Sequence, residues 1–284
     1  MLKKPKGTLV ALGCGECRKD ADILKSLLQE TGKLIPKVCV FTLGADKPEQ
    51  TEREYKDLFR GLGVDDISVI NFKVHTEADT EENLEKVKQA NIIIFANGSQ
   101  LKLSSLLGGT HLIARIKKRY YNERDFVVIG VNSGAAVLAN TMIISCNSND
   151  PMLKGELQIT NGLNLVSDVF IDTHFTERGK FGCLIQTVAF NPAVLGIGLS
   201  DDTAIVIKND EIEVIGLGLV VLVDGTCIKY TDVSEIRHGE PITVEGVKLH
   251  FLSAGKRFSI DKKEIHASSK ESIENNMSSV SEFI

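Results

Sequence analysis

Short apolar runs alternating with amphipathic segments predict a doubly wound α/β fold on a mostly parallel sheet, followed by an antiparallel C-terminal extension. Strand candidates fall at 8–13, 37–43, 66–72, 91–96 and 126–131. Each is rich in Val, Ile or Leu without polar alternation, the pattern of strands buried on both faces. Amphipathic segments at 20–31, 49–62 and 80–89 lie between them and supply crossover helices. Sheets of this kind place their chemistry beyond the carboxyl ends of the strands. That rule puts the segments 13–17, 97–100 and 131–134 along one edge. After about residue 195 the rhythm changes to short strands at 204–208, 211–215, 219–223 and 247–252, with turn signals at Asn209-Asp210 and Asp224-Gly225. No Pro- or Ser-rich linker intervenes, so residues 1–265 read as one domain. Residues 266–284 are Ser-, Glu- and Asn-rich and read as a polar tail, a weak helix or disorder.

A chain of 284 residues suits one large domain, and 43% hydrophobic against 25% charged residues is the balance of an ordinary globular protein. The net charge of −5 argues against a general nucleic-acid binder. The basic run Arg115-Ile-Lys-Lys-Arg119 accordingly reads as the solvated face of a helix. No apolar run approaches the roughly 18 residues needed to span a bilayer. The apolar stretch before Gly13 is too short for a signal-peptide core. A cytoplasmic protein with no membrane partner is therefore expected. The six cysteines, at 14, 17, 39, 146, 183 and 227, show no framework spacing and are expected as free thiols rather than disulfides. Cys14-Gly-Glu-Cys17 has the spacing of a redox pair or half a zinc site, but no second such pair completes a four-cysteine centre. No metal and no cofactor is expected.

The most informative segment is Phe126-Val-Val-Ile-Gly-Val-Asn-Ser-Gly-Ala-Ala-Val137. A buried strand runs into a turn of small residues from which a helix begins, the shape of a nucleophile elbow. Small neighbours are needed because the backbone passes close to itself and to any ligand. In the general pattern Gly-x-Ser-x-Gly the central residue is the nucleophile. Here Gly130 and Gly134 bracket Asn132, and Ser133 comes one place late. A shift of one residue on a tight turn re-aims the side chain. An asparagine amide is, moreover, a poor nucleophile at neutral pH.

Several ordered segments resemble the cyanophycinase-like serine peptidases, peptidase family S51. Gly130-Val-Asn-Ser-Gly-Ala135 is similar to the family elbow Gly-Thr-Ser-Ala-Gly-Ala, and Asn97-Gly-Ser-Gln-Leu101 to its Gly-Gly-Asp-Gln-Leu. Asp172-Thr-His-Phe-Thr-Glu-Arg-Gly-Lys180 resembles Asp-Gln-His-Phe-x-x-Arg-Gly-Arg, and Gly196-Ile-Gly-Leu-Ser-Asp-Asp-Thr-Ala204 resembles Gly-Ile-Gly-x-Asp-Glu-x-Thr-Ala. The opening Gly7-Thr-Leu-Val-Ala-Leu-Gly-Cys-Gly-Glu16 fits the family's first strand and loop. The resemblance implies a class I glutamine amidotransferase-like or flavodoxin-like fold, a homodimer, and β-aspartyl-arginine peptides as ligands. It places Asn132 at the nucleophile position and His174 at the catalytic base. Asp150 is the expected orienting acid, with Asp172 as the alternative. Gly98, Ser99, Gln100, Arg178 and Lys180 fall at substrate-contacting positions.

Departures from the family pattern cluster at the site. Asn132 stands for serine, Ser99 for aspartate, Asn97 for glycine, Lys180 for arginine, and Cys183 for an arginine often found there. Three functions follow as expectations. The first is a pseudoenzyme that keeps a peptide pocket without hydrolysis. The second is an active hydrolase using Ser133 with His174. The third is a zinc or redox protein built on Cys14 and Cys17.

Overall fold

The computed structural model describes residues 4–13, 21–30, 36–147, 150–175 and 180–266. The first half follows the expected rhythm: β1 (Thr8–Leu12), α1 (Ala21–Glu30), β2 (Val38–Phe41), α2 (Pro48–Gly61), β3 (Ile67–Ile70), α3 (Glu81–Gln89) and β4 (Ile92–Phe95). Two helices, α4 (Gln100–Leu107) and α5 (His111–Asn122), then precede β5 (Val127–Val131) and the short α6 (Ser133–Ala136). The helix starts are set by side chains that accept otherwise unpaired N–H groups. Thr80, Ser99 and Thr110 cap α3, α4 and α5. The Asp79 carboxylate also accepts from His111 and Leu112 N–H at 3.0 and 2.8 Å, where the helix dipole favours an anion.

Beyond α6 come the hairpin β6 (Thr141–Cys146) and β7 (Leu157–Asn161), β8 (Val169–Thr173), α7 (Phe181–Phe190), β9 (Leu195–Leu199), β10 (Thr203–Lys208), β11 (Glu211–Gly216) and β12 (Val220–Asp224). The pair β13 (Tyr230–Thr231) and β14 (Val244–Glu245), β15 (Lys248–Leu252), β16 (Arg257–Ser259) and β17 (Glu264–His266) complete the described chain. The polar tail 267–284 lies outside the described residues.

The main sheet has the order β17-β16-β11-β10-β1-β5-β4-β2-β3. Its β1, β5, β4, β2 and β3 run parallel, and β10, β11, β16 and β17 extend it antiparallel from β1. This is the predicted architecture, with one addition. The extension divides, and β8, β9, β12 and β15 form a separate four-stranded sheet in the order β15-β12-β9-β8, with β8 and β9 parallel. Apolar runs of five residues buried on both faces do not announce which sheet they join.

Alternation along β1 shows how the layers close. Val10 and Leu12 face one core, with Leu24 and Leu27 of α1 and Tyr55 and Phe59 of α2. Leu9 and Ala11 face the opposite core, which α3, α4 and α5 share with the small sheet through Ile171, Ile197 and Leu222. The other face of the small sheet packs Phe170, Val221 and Val223 on Leu184 and Val188 of α7. Two sheets therefore meet face to face beneath the strand ends that carry the site.

The β6–β7 hairpin is tied to α7 by a disulfide between Cys146 and Cys183, with Cα atoms 6.0 Å apart. This corrects the expectation that all six cysteines are free thiols. The pairing depends on the hairpin folding back onto α7, a tertiary event that a separation of 37 residues does not reveal. Cys39 is a buried free thiol and Cys227 an exposed one, while Cys14 and Cys17 lie outside the described residues.

Replacing both Cys146 and Cys183 by serine is expected to lower unfolding free energy in urea by about 3–4 kcal/mol, the loop-closure effect for a 37-residue separation. Reductant added to the native chain should give the same loss. A second expectation concerns His250 on β15, whose Nε2 is buried without a hydrogen-bond partner and whose ring lies edge-on to Phe258 at 5.2 Å. Burial pushes its pKa below the ordinary 6.5. The unfolded chain then binds more protons at acid pH, so this contribution is present above 6.5 and lost as pH falls below it. A Tm series from pH 7 downward should decline more steeply for the native chain than for His250→Gln.

Candidate active site

The carboxyl end of β5 lies at the middle of the main sheet, between β1 and β4. There the chain reverses into α6 through Asn132, at φ 53° and ψ −113°. A non-glycine residue in this region is strained and persists only where its surroundings hold it. Three backbone bonds do so: Asn132 N–H donates to Leu12 C=O at 2.9 Å, and Asn132 C=O accepts from Ala135 and Ala136 N–H at 2.8 and 3.1 Å. The glycines make the reversal possible by close approach. A Cβ on Gly130 would run into the Gly134 carbonyl, and one on Gly134 into the Phe95 carbonyl.

The Asn132 side chain is held at both ends of its amide. Nδ2 lies 2.7 Å from His174 Nε2, and Oδ1 accepts from the Thr173 hydroxyl at 2.6 Å. Thr173 is the last residue of β8, and His174 follows with φ 51°, a left-handed kink that turns its ring toward the elbow. The other ring nitrogen, Nδ1, lies 2.5 Å from Asp201 Oδ1. The Asn132 amide N–H donates to Nε2 in the tautomer that carries its proton on Nδ1, the nitrogen facing the Asp201 carboxylate. The Asn132 amide, an imidazole and a carboxylate therefore stand in line. That is the arrangement in which a carboxylate fixes an imidazole to act as a base.

Asp201 thus takes the place expected of Asp150 or Asp172. Asp150 is exposed, and its backbone carbonyl accepts from Leu153 N–H. Asp172 is buried and bound to Lys180 Nζ at 2.5 Å and to Thr173 N–H at 3.0 Å. Adjacent residues on a strand point to opposite sides, so Asp172 turns its carboxylate to Lys180 while the Thr173 hydroxyl meets Asn132. Asp201 belongs to the turn between β9 and β10, where the chain passes from the small sheet to the main one. Its signal was present in Gly196-Ile-Gly-Leu-Ser-Asp-Asp-Thr-Ala204, a segment read as a match without a chemical role.

Ser133 faces elsewhere. Its hydroxyl donates to Asn97 Oδ1 at 2.9 Å and accepts from Gly98 N–H at 2.7 Å. Both partners belong to the loop after β4. Ser99 caps α4, its hydroxyl accepting from Lys102 N–H, and Gln100 Nε2 donates to Ile143 C=O on β6 at 2.6 Å. Lys180 Nζ, besides its ion pair with Asp172, donates to Thr173 C=O at 3.0 Å. Arg178 lies outside the described residues.

These groups surround a cavity of about 440 Å³. Its floor is Asn132, Ser133 and His174, one wall is Asn97, Gly98 and Gln100, and a second is residues 143–146 of β6 with Cys183. Lys180 and Asp172 close the third side. Sequence reasoning brought together Asn132, Ser133, His174, Gly98, Gln100 and Lys180. It missed Asp201, Thr173 and the disulfide-tied wall. Among the described residues no cluster of His, Cys, Asp and Glu has metal-binding form. No described helix is long and apolar enough to cross a membrane.

Residues 9–215 match the model of peptidase family S51. A cyanophycinase of Synechococcus elongatus is 30% identical over 257 residues, covering 90% of this chain and 80% of that protein. A cyanophycinase of Nostoc sp. is 26% identical over 262 residues, covering 90% and 88%. Among solved structures, a peptidase from an acI-B1 Actinobacterium superposes with a TM-score of 0.67 at 22% identity, over 90% of this chain and 98% of that one, a likeness of fold. With its elbow and imidazole–carboxylate pair on that fold, the chain belongs to peptidase family S51.

Proposed function

We propose that this chain is a cyanophycinase-like protein that receives β-aspartyl peptides of the β-aspartyl-arginine type, with hydrolysis blocked at the nucleophile. The observation that carries the reading is the 2.7 Å contact between Asn132 Nδ2 and His174 Nε2. In a serine peptidase that nitrogen removes the proton of the attacking hydroxyl. Here it accepts a hydrogen bond from an amide whose nitrogen lone pair is delocalised into the carbonyl, so the base is occupied and nothing reactive is generated. Three further features support the reading: the Asp201 carboxylate lies 2.5 Å from His174 Nδ1, the turn at Asn132 has the shape of an elbow, and the cavity opens beside them.

The alternative, hydrolysis through Ser133, requires its hydroxyl to reach His174. The hydroxyl is instead bonded on both sides to the 97–98 loop. Breaking those bonds would cost two hydrogen bonds that hold the elbow to the loop after β4, about 0.5–1.5 kcal/mol each.

The test is hydrolysis of cyanophycin and of a β-aspartyl-arginine dipeptide by the native chain, by Asn132→Ser and by Ser133→Ala. The expected outcome is native turnover near background and a rise of roughly 10⁴–10⁶-fold in Asn132→Ser, the scale on which loss of a triad nucleophile acts. Native turnover abolished by Ser133→Ala would instead establish the alternative. No turnover in any form would reject this class of ligand.

A further inference from the structure

The residue that blocks hydrolysis is held in a conformation that favours chemistry on itself. At ψ −113° the backbone nitrogen of Ser133 nearly eclipses Cβ of Asn132. Closure of a five-membered ring between that nitrogen and Cγ requires this eclipsed arrangement, which ordinary strand and helix backbones do not supply. The amide is also prepared electronically. The Thr173 hydroxyl donates to Oδ1 at 2.6 Å and can stabilise negative charge as it develops on that oxygen. His174 Nε2, 2.7 Å from Nδ2 and backed by Asp201, can relay a proton to the leaving nitrogen.

We propose that Asn132 is a self-modification site, converted through a cyclic imide to aspartate by the groups that surround it. In the first step the Ser133 nitrogen bonds to Cγ and the Cγ–Nδ2 bond breaks. The proton lost from Ser133 N–H passes to solvent, and His174 Nε2, having taken up a proton from water, delivers it to the departing nitrogen, which leaves as ammonia. Water then opens the ring. Attack at Cγ restores the native backbone and leaves an aspartate side chain at position 132, whereas attack at the main-chain carbonyl gives the iso-aspartyl linkage. No oxidant or further reactant is needed, and no peptide substrate takes part. With the native backbone restored, the product places a carboxylate oxygen at the elbow beside His174, so the chain acquires an acidic group where it had a neutral one.

The chain carries its own controls. Asn97-Gly98 and Asn161-Gly162 have the least hindered following residue, and in an unfolded chain they should convert ahead of Asn132-Ser133. Purified native protein is incubated at neutral and mildly alkaline pH. Peptide mapping then follows the mass increase of roughly 1 Da that exchange of NH₂ for OH brings at each asparagine. The expected result is that Asn132 converts at least about tenfold faster in folded than in denaturant-unfolded protein, and that His174→Ala slows the folded rate by roughly tenfold or more. Thr173→Val, which removes the donor to Oδ1 while keeping the side-chain shape, should slow it as well. The proposal is overturned if Asn132 stays intact in folded protein while Asn161 converts. It is equally overturned if the Asn132 rate is the same folded and unfolded. Because the readout is mass, it stands or falls apart from peptide hydrolysis.

Discussion

Close backbone approach at the end of β5 governs the position of everything that follows. Gly130 and Gly134 let α6 fold back against β5 and over the carbonyl of Phe95, so the chain turns sharply enough to lift one side chain above the sheet. The turn places Asn132 at positive φ, a strain of about 1–3 kcal/mol that isolated peptide would relieve by relaxing. Bonds to Leu12, Ala135 and Ala136 prevent that relaxation. The side-chain network is a second restraint on the same residue, since His174 and Thr173 hold the two ends of its amide.

The imidazole and its carboxylate come from the other side of the molecule. Thr173 and His174 end β8 in the small sheet, and Asp201 sits in the turn that carries the chain back to the main sheet. Their alignment with Asn132 depends on how the two sheets pack, which is fixed by apolar contact between Ile171, Ile197 and Leu222 and the main-sheet face. Burial of such side chains contributes about 1.5–3 kcal/mol each and is insensitive to which polar group stands at the edge. The polar line of Thr173, Asn132, His174 and Asp201 is thus a passenger on a core that would form without it.

The parallel half of the fold was legible because its strands, buried on both faces, are unbroken apolar runs separated by amphipathic helices. The elbow was legible because glycines at 130 and 134 have few structural uses together. What could not be read was partnership across sheets. Asp201 stood in a recognised segment, yet nothing in sequence says that the turn after β9 meets the residue after β8. Asp150 and Asp172 were nearer in sequence to Asn132 and His174 respectively, but one is exposed and the other is neutralised by Lys180. The Cys146–Cys183 bond was hidden for the same reason, because pairing follows from the hairpin folding onto α7 and leaves no trace in spacing. Ser133 was ambiguous until its hydroxyl was seen bonded to Asn97 and Gly98.

Division of the site between two sheets has an evolutionary consequence. His174 and Asp201 are built into one half, and Asn132 is built into the other, on a turn whose shape is dictated by glycines. Exchange of that residue alters neither the glycines nor the packing between the halves. Asparagine and serine codons can be a single base apart, so the side chain at this turn can be exchanged in one mutational step. Selection on folding would scarcely register the passage in either direction. A gene encoding such a chain keeps either side chain at that turn within reach for as long as the core is maintained.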